Sequence, residues 1–345
     1  MTGASGFVGA TLVRALLDQD RRVRCIDARR GPGLAGLDVE FAQVDVLDPA
    51  GLRAALDGVD VVFHLAAVIS VAGDRTGRVR DVNVSGVRNV AEAARVVGVR
   101  RLVHCSSVHA YDLSAPGPVT EESPRATSGR LPPYDRSKAA GEAALRAVVD
   151  RGLDAAVVNP TGVMGPQDLA PSRIGRLLLA LFRRRLPAVL AGGFDWVDVR
   201  DVCASLLAAE AAARTGENYL LPGHHASLGE LSDLAGRIAG RPRRIPVLPM
   251  GLARALAPAA NVISRWSASP FLYTTDSLHA LRHCPPVDGT KAAAELGHRP
   301  RPLETTLRDT FAWFVTEGLV TPGPQAAQHA RQAKRARERR PSSGS

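Results

Sequence analysis

The chain has 345 residues, 45% apolar and 23% charged, which suits a soluble globular protein of one large or two moderate domains. Its formal charge is +10, but half of that excess lies in residues 325–345, where Arg331, Lys334, Arg335, Arg337, Arg339 and Arg340 face Glu338 alone; a basic disordered tail over 321–345 is expected, which argues against nucleic acid as a partner of the folded part. Cys25, Cys105, Cys203 and Cys284 form no Cys-x-x-Cys pair, no apolar run is long enough to span a bilayer, and no signal peptide is visible, so a cytoplasmic protein without zinc or disulfides is expected. In chain order, 23–26 and 39–44 read as strands. Asp48 then caps a helix that Pro49 opens. A strand is predicted over 59–65, a helix over 78–97, a strand over 101–105, a helix over 134–150 and a strand over 155–158. That alternation predicts an α/β fold with a doubly wound parallel sheet, and a dinucleotide-binding Rossmann domain over 1–165. Short helices at 173–184, 201–213, 227–239 and 303–317 predict a smaller C-terminal lobe over 166–320 that binds substrate above the carboxyl ends of the strands.

Thr2-Gly3-Ala4-Ser5-Gly6-Phe7-Val8-Gly9 leads into an apolar helix. Gly3 allows a tight turn, Gly6 a close approach of backbone to pyrophosphate, and Gly9 close packing of helix on sheet. The N–H groups around Phe7 and Val8 then face the phosphates, assisted by the helix dipole. Asp27 ends the next strand, where a carboxylate can accept from both ribose hydroxyls and repel a 2′-phosphate. This favours NAD, while Arg29 and Arg30 keep NADP open. The motif begins at Gly3, which leaves no residues for the strand expected before it, so a start further upstream is the expected reading.

Tyr134 and Lys138 are four apart and share a helix face. A neighbouring ammonium is expected to lower the phenol's pKa, and Lys138 can also hold the cofactor ribose. Tyr134 can then exchange a proton with a substrate oxygen. Ser107 follows the strand at 101–105 and can hold the same oxygen as charge develops; Ser106 is the weaker candidate. His109 and Tyr111 lie just beyond and are candidates for touching substrate, with a loop-capping role open for both. His64 reads as structural, and His224-His225 lacks a third metal ligand, so no metal is expected. Asp198 and Asp201 could orient the lid, or Asp201 could cap a helix.

Gly3-x-x-Gly6-x-x-Gly9, Asp45-Val46, His64-Leu65-Ala66-Ala67, Asn83, Ser106-Ser107 and Tyr134-x-x-x-Lys138 occur in order. Together they resemble the extended short-chain dehydrogenase/reductase superfamily, the NAD-dependent epimerase/dehydratase family, over about residues 1–318. Asn159-Pro160-Thr161-Gly162-Val163 and Phe194–Asp201 make the chain similar to its dihydroflavonol-reductase and 3β-hydroxysteroid-dehydrogenase branch. The resemblance implies that Asp45 and Val46 hold the adenine, and that Leu65, Ala66 and Ala67 line the pyrophosphate and nicotinamide-side ribose. It further implies that Asn83 braces the site and that Pro160 and Val163 lie near the carboxamide. A turn cap remains open for Asp45, and core packing for Ala66 and Ala67. A homodimer through the helices at 78–97 and 134–150 is implied too. The leading expectation is NAD(P)-dependent interconversion of a ketone and a secondary alcohol on a small molecule. A nucleotide-sugar epimerase or dehydratase with tightly held NAD is the alternative, and a cofactor-sensing protein the third class.

Overall fold

The computed structural model describes residues 1–70, 73–242, 244–249, 251 and 284–324. In chain order the elements are α1 (Phe7–Leu17), β1 (Arg24–Asp27), β2 (Glu40–Gln43), α2 (Pro49–Leu56), β3 (Val61–His64), α3 (Arg78–Arg80), α4 (Val87–Val97), β4 (Arg101–Cys105), α5 (Pro133–Val149) and β5 (Ala155–Pro160). They continue with β6 (Gly162–Met164), α6 (Arg173–Phe182), β7 (Val189–Leu190), β8 (Gly193–Asp198), α7 (Val199–Ala212), β9 (Asn218–Leu221), β10 (His224–Ser227), α8 (Leu228–Ile238), β11 (Val247–Leu248), α9 (Thr290–Leu296) and α10 (Leu303–Thr316). The basic tail expected from 321 lies, beyond Pro324, outside the described residues.

Two parallel blocks, β2-β1 and β3-β4-β5-β9, form the main sheet. Thr2 joins them through parallel bridges to Ile26 and His64. Its N–H donates to the Phe63 carbonyl, and that of Gly3 to Ile26, each at 3.0 Å. Residues 1–3 therefore occupy the carboxyl end of the central position, where strand order reverses and a doubly wound fold opens its crevice. The last strand of this sheet, β9, comes from beyond residue 165, so the chain crosses back from the lobe to complete it.

Both faces are covered by apolar layers. Leu12, Val13 and Leu16 of α1 and Val202, Leu206 and Ala209 of α7 pack on one face. Leu52 and Leu56 of α2, Val90 and Ala94 of α4, and Leu145 and Val148 of α5 pack on the other. Strands buried on both sides explain the unbroken apolar run at 155–158 and the buried Leu102 and Val103 of β4. A separate cluster around Phe182, Trp196, Leu231, Phe311 and Phe314 joins α6, α8 and α10 to the mixed sheet β10-β8-β6.

Asp48 caps α2 as expected, accepting from the Ala50 and Gly51 N–H groups. The helix anticipated at 201–213 starts two residues earlier, because Asp198 and not Asp201 is its cap, accepting from Arg200 N at 2.8 Å. Asp201 instead pairs with Arg301 at 2.7 Å and ties α7 to the segment before α10. The helix expected over 78–97 widens into a π-turn at Asp81–Gly86, an irregularity common at functional sites. Gly141 of α5 packs against that turn, and a Cβ there would lie 2.2 Å from the Asn83 carbonyl oxygen. Only a glycine permits the two backbones to meet so closely.

His64 and His104, register partners on β3 and β4, stack with ring centroids 4.9 Å apart. His64 Nδ1 is 2.6 Å from Thr2 Oγ1, consistent with the structural role expected for it. Burial pushes His64 down to about 3 from 6.5, and pushes His104 down as well. Both imidazoles are therefore neutral in the fold, while the unfolded chain takes up protons as pH falls below 6.5. Stability is fully retained above that value and is lost toward the folded-state values. The loss is about 1.4 kcal/mol per pH unit for His64, with His104 adding in the same direction. Urea midpoints measured from pH 7.5 to 4.5 are expected to drop steadily below 6.5, with a shallower drop in His104→Gln. A flat profile between pH 7 and 5 would contradict this account.

Candidate active site

The glycine turn has the geometry its spacing implies. Gly3 takes φ +70°, and a Cβ there would lie 2.5 Å from Ala66 N, so the turn presses directly on the 65–67 segment. A Cβ at Gly9 would lie 2.2 Å from the Gly3 oxygen. Gly6 caps α1 without any side-chain hydrogen bond, which leaves the first N–H groups of Phe7 and Val8 for an external acceptor. The Asp27 carboxylate accepts from Ser5 N at 3.0 Å and Ala28 N at 2.8 Å, and this fixes it beside the turn with lone pairs to spare. Arg29 and Arg30 are exposed, and Arg30 lies over the Phe41 ring at 5.5 Å. A free N-terminal helix turn with an acid at the end of the adjacent strand fits a dinucleotide.

Asp45 closes a turn by accepting from Leu47 N at 3.0 Å, while Val46 is buried beside Gly86. Leu65 and Ala66 are half-buried after β3, and Ala67 is exposed. Pro160 is buried at the end of β5, and Val163 is half-buried on β6. Asn83 accepts from Val68 N, donates to Val68 O, and donates to Ser137 Oγ at 2.9 Å; Ser137 in turn donates to the Tyr134 carbonyl at 2.7 Å. The expected bracing by Asn83 thus has a physical form: it locks the 68 loop to the first turn of α5.

Tyr134 and Lys138 are buried on one face of α5, and Ser107 is near enough to the phenol to favour its ionised form. Burial pushes Tyr134 above its usual value, and Ser107 opposes that push. Burial also lowers Lys138, so desolvation is the largest influence on both groups. Tyr134 is held as the acid, the form that donates to a carbonyl oxygen. Tyr111 does not face substrate as anticipated. It is 0% exposed, with the Arg125 guanidinium 4.1 Å above its ring, in a cluster with Ala110, Leu113 and Leu220. His109 is edge-on to Tyr134, with ring centroids 5.5 Å apart. Beside it opens a cleft lined by Val108, Leu113, Phe194, Pro285 and Val287, with Thr161 and Asp195 as its polar wall. Those two are paired, since Thr161 Oγ1 donates to Asp195 Oδ1 at 2.6 Å.

A buried polar cluster escaped the reading of the residues. Glu142 accepts from Asn159 Nδ2 at 2.6 Å, Asn218 Nδ2 at 2.9 Å and Arg125 at 2.7 Å. Asn159 also donates to the Ser107 carbonyl at 3.0 Å. The signal was present: Glu142 continues the four-residue spacing of Tyr134 and Lys138 along one helix face. Among the described residues there is no group of three side chains able to hold a metal, and no helix is long and apolar enough to cross a membrane.

Residues 1–221 match the model of the NAD dependent epimerase/dehydratase family. Sterol demethylase protein B of Methylococcus capsulatus is 34% identical, over 93% of this chain and 99% of its own length. A putative dihydroflavonol 4-reductase of Synechocystis sp. is 31% identical, over 93% and 95%. The crystal structure of gox2253 superposes with a TM-score of 0.80 at 32% identity, covering 93% of this chain and 98% of that one.

Removing the Glu142 carboxylate strands Arg125 and two amides. Glu142→Leu is expected to lose about 3 kcal/mol of unfolding free energy. Adding Arg125→Met should recover part of that loss, because replacing a buried pair by apolar groups is far less costly than halving it. Denaturant titration of both variants checks this; a Glu142→Leu protein as stable as the parent would remove the cluster's structural role.

Proposed function

Because the chain belongs to the NAD dependent epimerase/dehydratase family of oxidoreductases, we propose that it interconverts a ketone and a secondary alcohol on an apolar small molecule. The observation that carries this reading is the buried Tyr134, four residues before the buried Lys138 on one face of α5 and in ring contact with His109, whose own ring approaches Phe194 of an apolar cleft. The turn from Gly3 to Gly9, with Phe7 and Val8, would hold the pyrophosphate, and Asp27 the adenine-side ribose. Asp45 and Val46 would flank the adenine. Leu65, Ala66, Ala67, Asn83, Pro160 and Val163 would frame the nicotinamide side, and Lys138 its ribose. NAD, when bound, supplies or accepts the hydride.

Ser107 fixes the substrate oxygen, and Tyr134 donates a proton to it during reduction or removes one during oxidation. The Asn83–Ser137 chain keeps Tyr134 in place, and Asn159 keeps Ser107 in place. The apolar wall excludes water from the reacting carbon. Relatives named as a dihydroflavonol reductase and a sterol demethylase component support a hydrophobic ring-bearing substrate over a nucleotide sugar. The acid at position 27 supports NAD over NADP.

Tyr134→Phe is expected to bind NAD within about threefold of the parent, by calorimetry, and to lose about a hundredfold or more in turnover of alicyclic ketones. Asp27→Gly should weaken NAD about tenfold while improving NADP relative to it. A Tyr134→Phe protein with parental turnover would defeat the assignment.

A further inference from the structure

We infer that the end of the molecule where α6, α8 and α10 finish is a docking surface for an anionic lipid bilayer, whatever reaction the cleft carries. Arg183 is the C-cap of α6, and Arg184 and Arg185 follow it. Arg237 lies in the last turn of α8, and Arg241 and Arg244 come just after that helix. Three contacts hold these segments together. A Cβ at Gly236 of α8 would lie 2.5 Å from the Arg184 guanidinium. Arg183 Nε donates to the Leu319 carbonyl at 2.9 Å, just beyond α10. Arg241 donates to the Thr321 carbonyl at 3.2 Å.

Six arginines therefore share one end of the fold, with Asp233 of α8 and Glu317 at the end of α10 as the acids on those helix ends. The balance is four positive charges, while residues 1–324 as a whole hold 38 basic against 33 acidic side chains. The rest of that span is thus close to neutral. Helix ends explain part of the arrangement, since cations favour the last turn. Each helix supplies only about half a negative charge, however, and a guanidinium bonded to a carbonyl keeps its own. Arg185, Arg237 and Arg244 are exposed, with no carboxylate partner among the described residues.

The chain also leaves from this end. Gly323 N donates to the Ala239 carbonyl at 2.9 Å, at the C-cap of α8. Residues 325–345, with six basic side chains against one acid, therefore begin beside the same arginines. The adjoining edge is aliphatic. Strands β7 and β11 start shortly after the two basic segments and pair Val189 with Val247, and Val247 is 50% exposed between Pro246 and Leu248. Fixed cations beside exposed aliphatic groups suit a headgroup layer over acyl chains. A nucleic acid strand calls instead for exposed rings on which bases stack. The rings of α10 do not offer them: Phe311 and Phe314 are buried, and Trp313 is half-buried against Phe314.

The test is co-sedimentation of the whole chain with vesicles. Binding is expected to phosphatidylcholine containing about a third phosphatidylglycerol at ~0.1 M salt, and neither to phosphatidylcholine alone nor at ~0.5 M salt. Arg185→Glu, Arg237→Glu and Arg244→Glu together should weaken it by about a hundredfold, and the three Gln replacements by about tenfold. Arg22→Glu, Arg53→Glu and Arg88→Glu make an equal charge change at exposed positions elsewhere and should stay within about threefold of the parent. Urea midpoints and NAD affinity of all these variants are expected at the parent values, which separates lost docking from lost folding. Equal losses in the two Glu triples, equal binding to neutral and anionic vesicles, or tighter binding to duplex DNA than to anionic vesicles at the same salt overturns the inference. So does binding that vanishes in Arg335→Ser, Arg337→Ser, Arg339→Ser and Arg340→Ser combined, with the six arginines of the folded surface in place.

Discussion

A carboxylate placed under a helix must be fully satisfied, and the geometry around Ser107 follows from how this chain satisfies Glu142. The side chain is 7% exposed and accepts from Arg125, Asn159 and Asn218. Each donor comes from a different part of the chain: the loop before α5, the end of β5 and the start of β9. Asn159 spends its second N–H on the Ser107 carbonyl. One acid thereby ties three segments and the serine turn into a single unit. In a low-dielectric interior such a cluster is rigid because no member can leave without exposing the others unpaired. The placement of Ser107 relative to Tyr134 is a consequence of that pairing as much as of the strand it follows.

Much of this architecture was legible from the residues, for identifiable reasons. The strands at β3, β4 and β5 are short apolar runs bounded by turns, since both of their faces are buried. Gly3 and Gly9 of the first turn are each demanded by a contact, at 2.5 and 2.2 Å, that a Cβ would not tolerate, so their spacing is a direct imprint of geometry. The Tyr134–Lys138 interval reports a helix face. What was illegible depends on tertiary contact. Tyr111 reads as an available phenol, and only the fold reveals Arg125 lying over it. Asp201 reads as the helix cap on paper, yet Asp198 takes that place and Arg301, a hundred residues away, claims Asp201. Strand β8 carries Asp195 and Asp198, buried and paired with Thr161 and Arg200, and β10 opens on two exposed histidines, so neither gives a clean apolar run.

Burial works against the electrostatic expectation at Tyr134. Proximity of an ammonium was weighed without the burial that comes with it. Desolvation acts on both groups, raising the phenol and lowering Lys138. Lys138 is one of three lysines in a chain whose basic residues are otherwise arginine. An amine can be desolvated and retuned where a guanidinium cannot, which suits it to this position.

The absence of a Cβ at Gly141 has a consequence for how such a molecule can change. Backbone meets backbone between α5 and the π-turn, so that seam cannot be repacked by exchanging larger and smaller side chains. On the proposed function, drift in ligand preference is left to the cleft lining, where Leu113, Phe194 and Val287 can vary in bulk without disturbing that seam. Rigidity along that seam and freedom of bulk along the cleft are thus properties of different parts of one chain.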